Sequence, residues 1–266
     1  MTKRILTGLV LIPAVVALVW WAPVWLFLLG MLPFGLLALW EYLELAERAG
    51  TGPARLPVYL VALGVWLVAA YRPGDLLAAV VGASLLFLIV ALRRPLTAEI
   101  LYASAAAVFG LLYIVVPFAL VTDLRHMSEG PRALLYLLIL VWVGDTAAYF
   151  AGRAMGRHKL APALSPGKTV EGTAASLVAT VAAGYWLFRA WFGAFDPMHA
   201  WLLPVVVNVA SQGGDLVESA LKRGAGVKDS SSLLPGHGGV LDRVDSLLFA
   251  APGVWYYWKL LSGGGF

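Results

Sequence analysis

From Ile5 to Trp40 the sequence contains no charged residue. A run of that length exceeds the roughly 20 apolar residues that carry one α-helix across a bilayer. Lipid offers the backbone no hydrogen-bond partners, so apolar runs of this kind satisfy their own N–H and C=O groups by forming helices. Comparable stretches recur along the chain, at about 5–22, 24–46, 56–71, 75–92, 98–122, 132–152, 170–192, 199–221 and 240–261. The expected fold is an all-α polytopic integral membrane protein with about nine transmembrane helices. The third segment, Leu56 to Tyr71, is short and reads as tilted or partly re-entrant. Gly50, Gly52 and Pro53, then Pro73-Gly74, Pro95 and Gly130-Pro131 punctuate the runs. The second run ends in Glu41, Glu44 and Glu47, so that end is expected to leave the bilayer.

Composition agrees. The chain is 61% hydrophobic and 13% charged, against about 25% charged for a soluble domain. It has no cysteine, which excludes disulfides and thiolate metal sites. Lys3-Arg4 followed by Ile5–Trp21 has the outline of a signal peptide, but the run is longer than the usual hydrophobic region and no A-x-A site follows it. It is read as a retained first transmembrane helix. Trp20, Trp21, Trp25, Trp40, Trp255, Tyr256, Tyr257 and Trp258 lie near expected helix ends, where interfacial aromatic belts collect. No soluble domain and no internal repeat is apparent. Residues 1–130 read as a lipid-embedded scaffold, and residues 131–266 as the helices that carry a site.

Positive charge orients the spans. With the N-terminus in the cytoplasm, five of the 19 Lys and Arg residues fall outside: Arg72, Arg125, Arg132, Arg189 and Lys259. The remaining 14 fall inside. Eight of those lie between Arg153 and Arg243 and are also candidates for ligand binding; without them the bias is six against five. The full count places the C-terminus outside and the loops 153–169 and 222–239 together on the cytoplasmic side.

Charge concentrates between Ser211 and Asp245, in SQGGDLVESALKRGAGVKDSSSLLPGHGGVLDRVD. A charged residue within a membrane segment costs about 3 kcal/mol or more, so such a cluster marks a function. Asp215 and Glu218 are three residues apart and share one helix face; Asp242 and Asp245 repeat the spacing. Two such pairs facing one another make an oxygen-rich site for a hard cation such as Mg2+. Lys222, Arg223 and Lys228 follow, and metal plus several cations is what polyphosphate binding requires. Gly224, Gly226, Gly236, Gly238 and Gly239 let backbone N–H groups approach phosphate, or serve as ordinary turn residues. His237 stands among them, open to roles as ligand, base or hydrogen-bond donor.

A second polar stretch runs from Gly144 to Gly172, GDTAAYFAGRAMGRHKLAPALSPGKTVEG. Asp145 lies towards the inner end of the sixth span. Ser165, Lys168, Thr169 and Glu171 precede the seventh. Gly167-Lys168-Thr169 invites a P-loop reading, which fails because Pro162 occupies the place of the first glycine and no strand is expected before it. A polar loop entering a helix still suits phosphate; helix capping by Ser165 and Glu171 is the other reading.

The run Ser219 to Asp245 resembles the signature of phosphatidate cytidylyltransferases, also called CDP-diacylglycerol synthases. The matching residues are Ser219, Lys222-Arg223, Lys228-Asp229, Ser231, Pro235, His237-Gly238-Gly239, Asp242-Arg243 and Asp245. GDTAAYFAGR and SPGKTVEG look like the family's second conserved region, so the resemblance covers about residues 140–250. It implies that phosphatidic acid attacks the α-phosphorus of CTP and releases pyrophosphate, with Mg2+ as cofactor and room for a second cation. On that expectation Lys222, Arg223, Lys228 and Asp242 carry catalysis. Asp215, Asp242 and Asp245 hold metal, with Glu218 as a further ligand. Asp145, Ser165, Lys168, Thr169, Glu171, Asp229, His237, Gly238, Gly239 and Arg243 contact substrate, and Asp145 either supports the metal shell or orients Lys168. The expected partners are CTP, phosphatidic acid and the lipid bilayer, with no nucleic acid, and the resemblance implies a homodimer. The expected location is the bacterial inner membrane, with the site facing the cytoplasm.

Two other classes share some of these marks. A cation- or proton-coupled transporter also carries intramembrane carboxylates, but here they adjoin a basic, glycine-rich loop and no repeat halves appear. A CTP-dependent polyprenol kinase is nearer. A CDP-alcohol phosphatidyltransferase is disfavoured, because Ser246 stands where its D-x-x-D-G motif needs glycine.

Overall fold

The computed structural model describes residues 13–93, 98–233 and 238–261. Within them the chain is helical wherever the apolar runs predict it. Residues 13–21 form α1, and α2 (Val24–Arg48) starts directly after Pro23. Then come α3 (Arg55–Tyr71), a short 3-10 turn at Pro73–Asp75, and α4 (Leu76–Ala91). α5 (Ala98–Gly110) continues through a π turn, Leu111–Val115, into α6 (Val116–His126). α7 (Gly130–Met155), α8 (Val170–Trp191), α9 (His199–Gly224) and α10 (Leu241–Leu261) complete the helices.

Among the described residues, four stretches are long and apolar enough to cross a membrane: Val24–Arg48, Pro73–Ala91, Glu99–His126 and Gly130–Met155. α3, with 17 residues, extends about 25 Å at 1.5 Å per residue, less than a hydrocarbon core of about 30 Å.

The all-α expectation needs one amendment. Residues 159–169, read from sequence as a polar loop, fold as an antiparallel hairpin. β1 (Lys159–Ala161) pairs with β2 (Ser165–Thr169), Lys159 opposite Thr169 and Ala161 opposite Ser165. Proline and glycine within β2 hide the strand from a pattern reading. The hairpin ends where Thr169 caps α8, its hydroxyl accepting the Gly172 N–H at 3.1 Å.

The most extensive helix pairings are α7 with α8 and α9 with α10, followed by α8 with α9. Small residues permit these approaches. A Cβ on Gly214 would stand 2.5 Å from the Asp245 carbonyl oxygen, so only glycine lets α9 meet α10 there. Asp215 and Asp245 are thereby brought to the same junction.

Two apolar clusters hold the helices together. One gathers Leu39, Leu43, Val58, Ile114 and Phe118 with Leu241 and Leu248. The other gathers Phe27, Leu124, Tyr136, Leu140, Phe188, Leu203 and Trp258. Each draws on residues from both sides of position 130, with α10 contributing to both.

Candidate active site

The C-terminal halves of α7 and α9, the first turns of α8 and α10 and the hairpin line a cavity of about 600 Å3, within the usual range for small-molecule sites. α7 contributes Asp145, Tyr149 and Arg153; β2 contributes Lys168; α9 contributes Gln212 and Asp215. Thr169 and Ser246 also line it. Lys168 reaches across from the hairpin, and its ammonium stands 2.6 Å from Asp215 Oδ2.

The inner wall is a ladder of neutral polar side chains. Asn208 Nδ2 donates to Ser176 Oγ at 2.8 Å and Thr180 Oγ1 at 3.0 Å. Gln212 Nε2 donates to Asn208 Oδ1 at 3.0 Å and to the Thr173 carbonyl at 3.2 Å. Asn208, Ser176 and Thr180 are buried. Their mutual pairing satisfies polar groups that would otherwise be expensive in an apolar bundle.

Beside the cavity, carboxylate oxygens of Asp215, Glu218 and Asp245 lie within 4.8 Å of one another. Glu218 is almost fully buried; its Oε2 meets Lys222 at 2.5 Å, while its Oε1 is buried without a hydrogen-bond partner among the described residues. An unpaired buried carboxylate oxygen is costly, and three hard oxygen donors converging on one point suit a divalent cation such as Mg2+. The donor set therefore fits a metal.

The expected metal set combined Asp215, Asp242 and Asp245, with Glu218 as a further member. The geometry groups Asp215, Glu218 and Asp245, and engages Asp242 with other partners. Asp242 Oδ1 meets Lys222 Nζ at 2.5 Å. Its Oδ2 accepts the Gly239 N–H at 2.7 Å, the Ser230 N–H at 3.2 Å and the Ser230 hydroxyl at 2.9 Å. Asp242 lies in the first turn of α10, next to the loop, where donors are plentiful; Asp245 lies nearly a turn deeper.

The other expected residues divide between the cavity and its frame. Arg223 Nε donates to the Leu164 carbonyl at 3.2 Å and so holds the hairpin turn against the end of α9. Glu171 accepts the backbone N–H groups of Arg157 and His158 and meets His158 Nδ1 at 2.6 Å, pinning the chain entering the hairpin. Ser165 begins β2, opposite Ala161. Lys228, Asp229 and Arg243 are exposed and are not among the cavity-lining residues. Gly238 takes a left-handed φ of 76°, a conformation that favours glycine. His237 lies outside the described residues.

Several contributors escaped the sequence reading. Tyr149 and Arg153 follow the expected Asp145 at steps of four residues, which places them on its helix face, so that spacing could have found them. Asn208 and Gln212 likewise precede the expected Asp215 by seven and three residues, on one face of α9. Tyr113 carried no such signal. It sits on the π turn, buried, with a hydroxyl that has no hydrogen-bond partner among the described residues, within electrostatic range of Glu218 and Asp245. π turns commonly mark functional sites.

A family model described as the cytidylyltransferase family matches residues 2–261. The chain belongs to the cytidylyltransferase family. Its relatives include proteins named phosphatidate cytidylyltransferase. That of Staphylococcus haemolyticus is 44% identical over 128 residues, covering 47% of this chain and 48% of the relative. That of Staphylococcus aureus is 41% identical over 152 residues, 56% of each. That of Staphylococcus epidermidis is 45% identical over 130 residues, 47% of this chain and 48% of the relative. The chain thus spans about half the length of the curated relatives it matches.

Proposed function

We propose that this protein is a CTP:phosphatidate cytidylyltransferase. The observation that carries the proposal is the convergence of Asp215, Glu218 and Asp245, with an unpartnered buried oxygen, beside a polar cavity bordered by Lys168 and Arg153. The names of its relatives point to the same reaction. In it, an oxygen of the phosphatidic acid phosphate forms a bond to the α-phosphorus of CTP. The bond from that phosphorus to the β-phosphate bridge breaks, and pyrophosphate leaves with the electron pair. A phosphomonoester has a second pKa of about 6, so the nucleophile is largely a dianion at neutral pH and needs no base. Orientation and charge neutralisation are the remaining tasks.

Asp215, Glu218 and Asp245 would hold Mg2+, which when bound neutralises phosphate oxygens. Lys222 keeps Glu218 and Asp242 in register. Lys168, Arg153 and Thr169 face the cavity where a triphosphate fits, and Asp145 lies opposite Lys168. Arg223 and Glu171 hold the hairpin in place. Lys228, Asp229, Gly238, Gly239 and Arg243, in the loop and at the helix start, would meet the lipid phosphate. The protein is read as integral to the bacterial inner membrane, with its site facing cytoplasmic CTP and a homodimer as its assembly.

The test is pyrophosphate release by purified protein in detergent with CTP, phosphatidic acid and Mg2+, with the lipid product identified by mass spectrometry. CDP-diacylglycerol formed at one equivalent per pyrophosphate is expected. Release of CDP when a polyprenol replaces phosphatidic acid, with a phosphorylated polyprenol as product, or no Mg2+-dependent turnover with phosphatidic acid, would sink the assignment. Lys168→Ala is expected to raise KM for CTP by about tenfold or more, since a hydrogen bond to a charged group contributes about 1.5–3 kcal/mol. Steady-state kinetics with varied CTP measures it.

A further inference from the structure

Glu41 lies on α2, in the half of the chain that the motifs do not reach, and is fully buried. The expectation that this end of α2 leaves the bilayer does not describe it. Glu44 and Glu47 are partly exposed and bind Arg55 at 2.6 Å, whereas Glu41 turns inward to the loop before α10. Its Oε1 accepts the Ser231 hydroxyl at 2.6 Å and the Val240 N–H at 2.9 Å. Its Oε2 accepts the Ser230 hydroxyl at 2.9 Å and the Leu241 N–H at 2.6 Å.

The N–H groups at a helix start have no acceptor within the helix. A residue just before the helix usually supplies one; here a carboxylate from a distant helix does so, with a charge that suits the helix N-terminus. Gly239 lies so close that any Cβ would collide with the Glu41 carboxylate and with Ser230 Oγ. The Ser230 hydroxyl stands between Glu41 and Asp242, 2.9 Å from each. The first turn of α10 is therefore fastened to α2 at the place where Asp242 meets Lys222, just ahead of Asp245.

We propose that Glu41 is a positioning residue for the metal site. It fixes Ser230, Ser231 and the start of α10 at Val240 and Leu241, and so sets where Asp245 stands against Asp215 and Glu218. The proposal rests on the metal reading above. It gives the N-terminal helices a task beyond filling lipid.

The experiment titrates Mg2+ against the thermal unfolding of detergent-purified protein. Glu41→Gln keeps the size of the side chain but turns one acceptor into an amide N–H group, which then faces a backbone N–H. The Mg2+ concentration giving half the stabilisation is expected to rise about tenfold. Leu124→Ala, a truncation in the other apolar cluster, should lower the melting temperature yet leave that midpoint within about twofold. In the CTP assay, Glu41→Gln should lower kcat by about tenfold with little change in KM for CTP.

A wild-type midpoint in Glu41→Gln, or an equal rise in Leu124→Ala, overturns the inference. A wild-type protein with no response to Mg2+ overturns the metal reading itself, a separate result. Where Glu41→Gln does not fold, the double variant Ser230→Ala, Ser231→Ala decides. It removes two of the four bonds from the loop side; a raised midpoint supports the role of Glu41, and an unchanged one overturns it.

Discussion

Replacing Lys222 with methionine is expected to destabilise the protein by about 3–5 kcal/mol, the usual effect of deleting one partner of a buried ion pair. The Lys222 ammonium stands 2.5 Å from both Glu218 and Asp242, and its side chain is only 12% exposed. Methionine fills much the same volume, so packing changes little and the loss is electrostatic. Two carboxylates are left facing one another in surroundings that water cannot screen. Turnover should fall by about a thousandfold, because about 4 kcal/mol of lost organisation corresponds to three powers of ten. Adding Asp242→Asn to Lys222→Met should restore part of the stability, since contacting residues couple non-additively, and should not restore turnover. Melting temperatures of the single and double variants, with pyrophosphate release, check this. A Lys222→Met protein as stable as wild type would remove the ammonium from its central place.

Asp245→Asn is expected to act in opposite directions with and without metal. In Mg2+-free buffer the three carboxylates within 4.8 Å repel, and neutralising one should raise the melting temperature. A gain of about 1 kcal/mol moves it by about 2–4 °C in a chain of this size. With Mg2+ the order reverses. Binding to the folded state stabilises it in proportion to the logarithm of saturation, and the variant loses that increment together with about two or more orders of magnitude in kcat. Thermal scans of both proteins across a Mg2+ series give the crossing point. If the two scans respond to Mg2+ alike, Asp245 is not a ligand.

The helices were legible because an apolar run between polar breaks has one solution in lipid. Each of the nine expected segments overlaps a described helix. The grouping of Asp215 with Glu218 was legible for a similar reason, since spacing by three fixes a shared face. What lay beyond pattern was contact across the fold. Asp242 and Asp245 have the same spacing, yet nothing in it reveals that the loop amides engage the first and not the second. The hairpin was hidden by Pro166 and Gly167, which read as part of a polar loop entering a helix. Glu41 looked like a solvent-facing helix end because its partners, Ser230 onwards, are 189 or more positions away; only folding makes them neighbours.

The bond between Lys168 and Asp215 has a thermodynamic consequence for ligand binding. One ammonium cannot serve Asp215 and an incoming phosphate at full strength. On the proposed reading, a cation that took up the Asp215 carboxylate would release Lys168 to the nucleotide, and a nucleotide that engaged Lys168 would expose Asp215 to the cation. Each ligand would then tighten the other by the same factor, as reciprocity of coupling free energies requires.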